Sequence, residues 1–569
     1  MTKWGMSVNN KSFWKYVFII FLCLSYSPLA TYLVFNGYPL FSQECLLLFL
    51  IFILVSLAIA GLARVWWPIG LLLVLLVILN YFSHLLSFEQ IFAWASPVFS
   101  PINSFFPPFL GKIIQFGFVI TILLFLLIGL QRMGREGWSG LCAASIIILV
   151  ASIVLNWTSP SNNLKIKVNT ESNTDLSLDL PLFLYIIFDE HMGIKWAPEE
   201  IQAENIAKQK MFSFYDKFNF TLFTNAFSLY LNTGDSISNV LNFNQNSLQD
   251  YYFSDDLDRQ LVNNRVFDIL EKKGYQIRIY QSNYMDFCSP DISNIEFCSE
   301  YQNNRISDLH NSKLLNVYKI LLIVGHYLKS PPETKLISDI IKRIRKYFLG
   351  SDLPQELDRI PLLSLRFDRL GPLNNIDIFN QLKEDVNRFP RGRAFFVHLL
   401  SPHFPYVYDA DGNIITDPRK WLGPFKWYGT KKDPTYEERY NQYYEQVTGL
   451  YKSLENWFTK LQKTGYLDDA IIIFHGDHGS RINETDPDIS KVSNPKWDRI
   501  LKDGYSTLFA VKGPGLTTER VDVFKSINEL TQDFFLNPHN LKFPSPEKNY
   551  VLVPKEGSKE LVKYHLSQW

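Results

Sequence analysis

Three stretches of this 569-residue chain place carboxylates and imidazoles where apolar runs end. "LYIIFDEHMG" delivers Asp189 and Glu190, "FFVHLLSPHFPY" delivers His398 and His403, and "IIIFHGDHGSR" delivers His475, Asp477, His478 and Arg481. Carboxylates and imidazoles converging at one edge suit a borderline cation such as zinc or manganese, because both bind it in deprotonated form. Taken singly, each has a plainer reading: an aspartate after a strand is a turn or cap residue, and a lone histidine, His475 above all, is a satisfied polar group. Recurrence at three strand ends favours the metal site. A fourth stretch, "NTGDSISNVL", puts Thr233 just before a helix-like run. A helix N-terminus offers unpaired N–H groups and a positive dipole end, which stabilise an alkoxide or phosphate oxygen. Metal coordination is a recognised way to activate a hydroxyl nucleophile. The competing reading is capping, since Thr233, Asp235 and Ser236 are all good N-caps.

The elements that must position these residues are legible as apolar runs of strand length at 182–188, 275–281, 394–400, 470–474 and 506–513. Several are almost continuously apolar, as strands covered on both faces should be. Helix-like segments separate them, such as 437–463 with its tyrosine and leucine stripe. Strands alternating with helices predict an α/β sheet with helices on both faces. In such sheets polar chemistry collects beyond the carboxyl ends of the strands.

The chain is too long for one ordinary domain of about 100 to 200 residues. Lys+Arg and Asp+Glu both number 56, so nothing points to nucleic acid. The charges are unevenly spread, with only seven basic and three acidic residues up to Asn156. Five apolar runs fill that part, at 13–35, 45–63, 66–82, 113–131 and 138–157, each close to the roughly 20 residues that cross a hydrocarbon core. They predict a five-helix transmembrane bundle over residues 1–157. Lys3, Lys11, Lys15, Arg64, Arg132 and Arg135 fall on one side and only Lys112 on the other, which puts the N-terminus in the cytoplasm. The aromatic and Pro-rich loop 87–110 is expected at the membrane surface. Residues 158–180 are polar and read as a linker, and 181–569 as an extracytoplasmic catalytic domain. Within it, 313–350 carries an amphipathic basic pattern that suits either a membrane-surface insertion or packing on the domain. Cys23, Cys45 and Cys142 lie in apolar spans, while Cys288 and Cys298 remain for the exported part, where one disulfide is expected.

The chain order "FDE", "NTGDSISNVL", "SPHFPY" and "GDHGSR" resembles the alkaline phosphatase and sulfatase superfamily. Five N-terminal spans ahead of the catalytic domain look like the bacterial lipid A phosphoethanolamine transferases and lipoteichoic acid synthases. The likeness covers the whole chain in architecture but only short motifs in sequence, Asp-His-Gly being the most specific. It implies that Asp189, Asp477 and His478 are metal ligands and that Thr233 bonds the metal and becomes phosphorylated. Glu190 stands where sulfatases carry a second acidic ligand, whereas the transferases use one glutamate in this region. His403 matches a histidine that contacts the substrate phosphate or assists the leaving group, with His398 a second candidate. Arg481 is a phosphate contact or a surface salt bridge. The implied cofactor is one divalent metal, zinc first, with manganese, magnesium or calcium as alternatives.

Two departures bear on the substrate. Sulfatases proper carry a cysteine in Cys-x-Pro-Ser-Arg, where this chain has Thr233-Gly234-Asp235-Ser236-Ile237; this weighs against sulfate ester hydrolysis. The transferases carry a further histidine after Asp-His-Gly, and "SRINETDPDISK" has none. The resulting expectation is transfer of a phosphoethanolamine- or phosphoglycerol-type group from a membrane phospholipid donor to an envelope glycan or lipid acceptor, through a phosphothreonine. The enzyme would be multi-pass in the inner (cytoplasmic) membrane, with its catalytic domain on the periplasmic or extracellular side. The alternatives are a membrane-anchored hydrolase of phosphate or sulfate esters and a non-catalytic polymer-assembly protein.

Overall fold

A computed structural model describes residues 10–35, 38, 41–85, 128–132, 135–158, 164–168, 179–195, 201–244, 261, 263–282, 285–288, 295–301, 319–320, 323–324, 371–417, 420–423, 434–482, 487–536, 549–555 and 560–566. The chain divides into two compact units, Met1–Asn162 with Ile306–Gln355, and Asn163–Arg305 with Glu356–Trp569.

The first unit holds helices α1 (Asn10–Phe35), α2 (Gln43–Val65), α3 (Trp67–Leu85) and α4 (Arg135–Thr158). Phe13, Val17, Ile20 and Leu24 recur at helical spacing on α1 and pack with Ala63, Leu71, Val74 and Trp138. Ser42 caps α2, its hydroxyl accepting from the Cys45 N–H at 3.3 Å. On α2, Leu46, Leu50, Leu54, Leu57 and Leu62 stay exposed, so the helix is apolar all round. Among the described residues two helices are long and apolar enough to cross a membrane, over Phe13–Leu33 and Gln43–Val65. Of the other expected crossings, 66–82 falls within α3 apart from Trp66, which ends α2, and 138–157 within α4, while 113–131 lies almost wholly outside the described residues. The loop 87–110 lies outside them too, as does 313–350 apart from four residues. One of those four, Lys319, pairs with Glu44 at 3.0 Å, both buried.

The second unit is built on a nine-stranded sheet of order β1-β6-β5-β7-β2-β8-β9-β3-β10. Its strands are β1 (Leu164–Val168), β2 (Phe183–Phe188), β3 (Thr221–Phe223), β5 (Gln276–Ser282), β6 (Ile295–Tyr301), β7 (Arg393–Leu399), β8 (Ile471–Gly476), β9 (Phe509–Lys512) and β10 (Glu519–Val521). A short pair, β4 (Ala226–Phe227) with β11 (Lys525–Ser526), and a hairpin, β12 (Tyr550–Pro554) with β13 (Leu561–His565), stand apart. Strands β5, β7, β2 and β8 run parallel, while β9 is antiparallel to β8 and β1 to β6, so the sheet is mixed.

Alternation along β2 sorts the core. Leu184, Ile186 and Phe188 pack toward helices α5 (Gln202–Lys217), α8 (Asn375–Arg388) and α9 (Tyr436–Lys463). Phe183, Tyr185 and Ile187 pack toward α6 (Thr233–Asn242), α7 (Arg265–Lys272) and α11 (Ile527–Leu536). Both faces are therefore covered, which explains why the central strands read as unbroken apolar runs. Helix α10 (Trp497–Tyr505) packs with the β12–β13 hairpin. The expectation of a linker at 158–180 needs correcting, because 164–168 forms an edge strand. Leu164, Ile166 and Val168 alternate with Lys165 and Lys167 there, a period of two that composition alone conceals. Cys288 and Cys298 are joined in a disulfide, Cys298 lying on β6.

Candidate metal centre

Strand register levels the ends that carry the site. Phe188 pairs with Leu399 on one side and Gly476 on the other, so Asp189 leaves the sheet beside Asp477. The ligand atoms of Asp189, Asp477 and His478 lie within 4.8 Å of one another, and all three residues are fully buried. Among the described residues both Asp189 oxygens and Asp477 Oδ2 have no hydrogen-bond partner. Asp477 Oδ1 is occupied, accepting from the N–H groups of Glu190 and His478 at 2.9 Å each. His478 Nδ1 lies 2.9 Å from the Gly479 carbonyl and serves as its donor, which leaves Nε2 a lone pair. That Nε2 is 3.2 Å from Asp477 Oδ2 and 3.2 Å from Thr233 Oγ1.

Buried oxygens left unpaired cost about 1–3 kcal/mol each. Two carboxylates, a neutral imidazole and a hydroxyl are the donors a divalent cation takes, so the residues fit such an ion. Burial, and then Asp477 beside it, push the Asp189 carboxyl well above the usual range. Although burial opposes it, His478 and the Glu190 N–H hold the Asp477 carboxyl low. Burial lowers the His478 pKa, against the pull of Asp477, and so favours the neutral ring that a ligand needs. Counting Glu190, three buried carboxylates face one guanidinium, that of Arg481; when ionised, the surplus of two negative charges matches one divalent ion.

Thr233 opens α6, and the cap position is held by Asn232, whose side chain makes no capping bond. The Thr233 hydroxyl therefore points to His478 instead of closing the helix. Ser236, one turn on, donates to the Asp477 carbonyl at 2.6 Å and ties the helix start to the loop after β8.

Glu190, the alternative acidic ligand beside Asp189, is not among the grouped ligand atoms and is engaged in an ion pair instead. Its backbone is left-handed, φ 60°. Its carboxylate takes the Arg481 guanidinium and the Phe404 N–H, the latter at 3.3 Å. Arg481 is likewise not a surface bridge: its side chain is 18% exposed, Glu190 is fully buried, and its φ is 55°. Uncommon left-handed residues at both ends of one ion pair mark a place held against local preference. His403, also 18% exposed, bonds the Phe404 carbonyl through Nδ1 and turns Nε2 to within 3.8 Å of Glu190 Oε1. His398, the second candidate for a substrate contact, has no exposed surface. It lies 3.4 Å from Asp189 Oδ2 and packs on Phe287, and burial lowers its pKa to about 4. His475 bonds the Gly476 carbonyl at 2.7 Å and the Tyr185 hydroxyl at 3.0 Å, a structural role.

Sequence reasoning missed Asp503 and Gly479. A Cβ on Gly479 would meet the Asp503 carbonyl oxygen at 2.0 Å, so only glycine lets the loop pass. Ser480 donates to Asp503 Oδ1 at 2.6 Å. The glycine was visible in Asp-His-Gly, but nothing in the sequence marked Asp503 as its neighbour.

Several solved structures share a likeness to this chain. The zinc complex of the C-terminal periplasmic domain of EcEptC from Escherichia coli is 12% identical, with TM-score 0.35, over 70% of this chain and 95% of that one. The lipoteichoic acid synthase LtaP from Listeria monocytogenes is 14% identical, with TM-score 0.34, over 68% and 82%. The phosphonate monoester hydrolase of Agrobacterium radiobacter is 13% identical, with TM-score 0.35, over 65% and 80%. No curated protein matches the chain. The assignment rests instead on the Sulfatase family model, which matches residues 205–510 and so takes in Thr233, His403, Asp477 and His478. With more than half of its length matched, the chain belongs to the Sulfatase family.

Proposed function

We propose that the protein transfers a phosphoryl-linked group, of the phosphoethanolamine or phosphoglycerol type, from a membrane phospholipid to a hydroxyl on an envelope glycan or lipid. The observation that carries this reading is the Thr233 hydroxyl at the start of α6, 3.2 Å from His478 Nε2 and beside unpaired buried carboxylate oxygens. Asp189, Asp477, His478 and Thr233 would hold one divalent metal, for which the mixed carboxylate and imidazole donors favour zinc. Bound there, such an ion supplies charge stabilisation and lowers the pKa of the hydroxyl.

The chain's own residues do the rest. Thr233 Oγ1 loses its proton to solvent and forms a bond to phosphorus, while the bond from phosphorus to the lipid oxygen breaks. His403 Nε2 donates a proton to the departing lipid alcohol. Backbone N–H groups at the start of α6 receive the phosphoryl oxygens where negative charge grows. The acceptor hydroxyl then gives its proton to His403 Nε2 and bonds to phosphorus as the bond from phosphorus to Thr233 Oγ1 breaks; Thr233 regains a proton from solvent and the enzyme is restored. With water as acceptor the same geometry gives a hydrolase.

The apolar helices of the first unit support a multi-pass protein of the cytoplasmic membrane, and the basic residues flanking the apolar runs support a catalytic domain outside the cytoplasm. The buried pair of Lys319 with Glu44 on α2 supports a place for Lys319 close to the membrane. The test is diacylglycerol release by the full-length protein in vesicles of phosphatidylethanolamine and phosphatidylglycerol with added zinc. Release by the wild type and its loss in Thr233→Ala is the expected result. Full release by Thr233→Ala would sink the covalent mechanism, and release without any acceptor product would select the hydrolase.

A further inference from the structure

We infer that helix α9 positions the site, with Tyr440, Tyr443 and Gln446 each fastening one of its three loops. This role rests on the reading above that those loops hold metal and substrate. The three residues lie three apart on successive turns, so they project to one side of the helix. All are buried, at 1%, 0% and 0% exposure.

Each side chain spends its polar groups on a different loop. The Tyr443 hydroxyl donates to the Glu190 carbonyl and accepts from the Met192 N–H, both at 2.9 Å, and so fixes the left-handed turn that follows Asp189. Gln446 Nε2 donates to the carbonyls of Pro402 and His403 at 2.9 and 3.1 Å. Its Oε1 accepts from the N–H groups of Val407 and Tyr408 at 2.8 and 3.1 Å, so one amide grips the His403 loop at both ends. The Tyr440 hydroxyl donates to Asp503 Oδ1, which also holds Ser480; the Asp503 carbonyl accepts from the Arg481 N–H at 3.3 Å. The loop that carries Asp477 and His478 is thus fastened through Asp503.

A helix that only filled the core would not need these groups. Its later half does that work with Leu454, Phe458 and Leu461. In the first half, buried hydroxyl and amide groups would each cost about 1–3 kcal/mol if unpaired. Tyr443 and Gln446 find their partners in the main chain of site loops, and Tyr440 in the residue that clamps the third. Precision of this kind matters because a misplacement of about 1 Å costs catalysis on the order of 100-fold.

Amide hydrogen exchange on the full-length protein, chelated and then loaded with cobalt(II), tests the inference with Tyr443→Phe, Gln446→Met and Tyr440→Phe. Leu461→Ala, on the same helix and remote from the loops, is the control. Exchange is expected to rise about tenfold in one loop per variant, the rate change of one lost hydrogen bond: 189–193 for Tyr443→Phe, 402–408 for Gln446→Met and 478–482 for Tyr440→Phe. In the cobalt form, Tyr443→Phe and Tyr440→Phe should shift the visible absorption bands and weaken cobalt binding about tenfold, as loss of an outer partner does. Leu461→Ala should lower the melting temperature without moving the bands. Exchange that rises across the whole domain in every variant, or bands that move equally in Leu461→Ala, would overturn the positioning role. A wild type that binds no cobalt would remove the metal reading, and the loop-by-loop exchange pattern would still decide the role of α9. If Gln446→Met does not fold, Gln446→Glu, which keeps the acceptor and loses the donor, is expected to raise exchange at the amides of His403 and Phe404 and to leave Val407 and Tyr408 protected.

Discussion

Replacing Asp189 by asparagine separates a metal site from a structural turn by the sign of its effect. In the metal-free protein, ligand oxygens of Asp189 and Asp477 lie within 4.8 Å, and neither Asp189 oxygen has a hydrogen-bond partner among the described residues. Two like unit charges at that distance repel by about 3 kcal/mol at an effective dielectric of about 20. The Asp189 carboxyl is pushed up by burial and by Asp477, so it relieves part of this repulsion by taking a proton. An amide of the same shape carries no charge, so it removes what repulsion remains, about 1–3 kcal/mol, and offers an N–H to Asp477 Oδ2, which has no hydrogen-bond partner among the described residues. Asp189→Asn should therefore stabilise the chelated protein and raise its melting temperature by a few degrees. With zinc the order reverses. An ion present at about 1,000 times its dissociation constant stabilises the folded state by about 4 kcal/mol, most of which the variant forfeits with its anionic ligand. The assay is thermal unfolding of the full-length protein in detergent, with chelator and with excess zinc. A variant that melts lower than wild type by the same margin in both conditions would refute the reasoning, as would a zinc shift equal in the two proteins.

Gly479→Ala should weaken zinc binding at least tenfold in competition with a chelating dye, because the new Cβ would stand 2.0 Å from the Asp503 carbonyl oxygen and force the His478 loop to move; unchanged affinity would contradict this. Glu296, remote from the site, accepts from Arg393 at 2.8 and 3.1 Å and pairs with Arg278 at 3.2 Å. Burial opposes its ionisation, but the two guanidinium groups prevail and hold its carboxyl below the ordinary value. Its stabilisation is therefore present above the unfolded pKa of about 4.5 and is lost as pH falls through the lower folded value. Glu296→Gln should cost about 2 kcal/mol at pH 7, and the gap to wild type should close as pH falls through the lowered folded value; a gap constant with pH would show that the pair does not titrate as described.

Much of the sheet was legible because physics leaves a strong trace in buried parallel strands. The run Leu182 to Phe188 is apolar at every position because both faces are covered, and β7 and β8 read the same way apart from Arg393, His398 and His475. The strand β1 escaped notice because its lysines alternate with apolar residues, and β3, three residues long, carries no period at all. At the site, Asp477 and His478 stand together in Gly-Asp-His-Gly, and Asp189 ends an obvious strand. The pairing of Glu190 with Arg481 was not legible, since it joins residues 291 apart through two left-handed turns that ordinary side chains do not announce. The tyrosines of α9 read as an apolar stripe; where their hydroxyls go depends on loops whose course only the fold decides.

The most direct test of the central claim is mass spectrometry of the Thr233 peptide from protein isolated from its native membrane and trapped in acid. The account predicts a phosphodiester adduct on Thr233, phosphoethanolamine or phosphoglycerol by mass, absent from Thr233→Ala and from Asp477→Asn. An unmodified Thr233 in protein that is turning over a phospholipid donor, or an adduct on another residue, would contradict it.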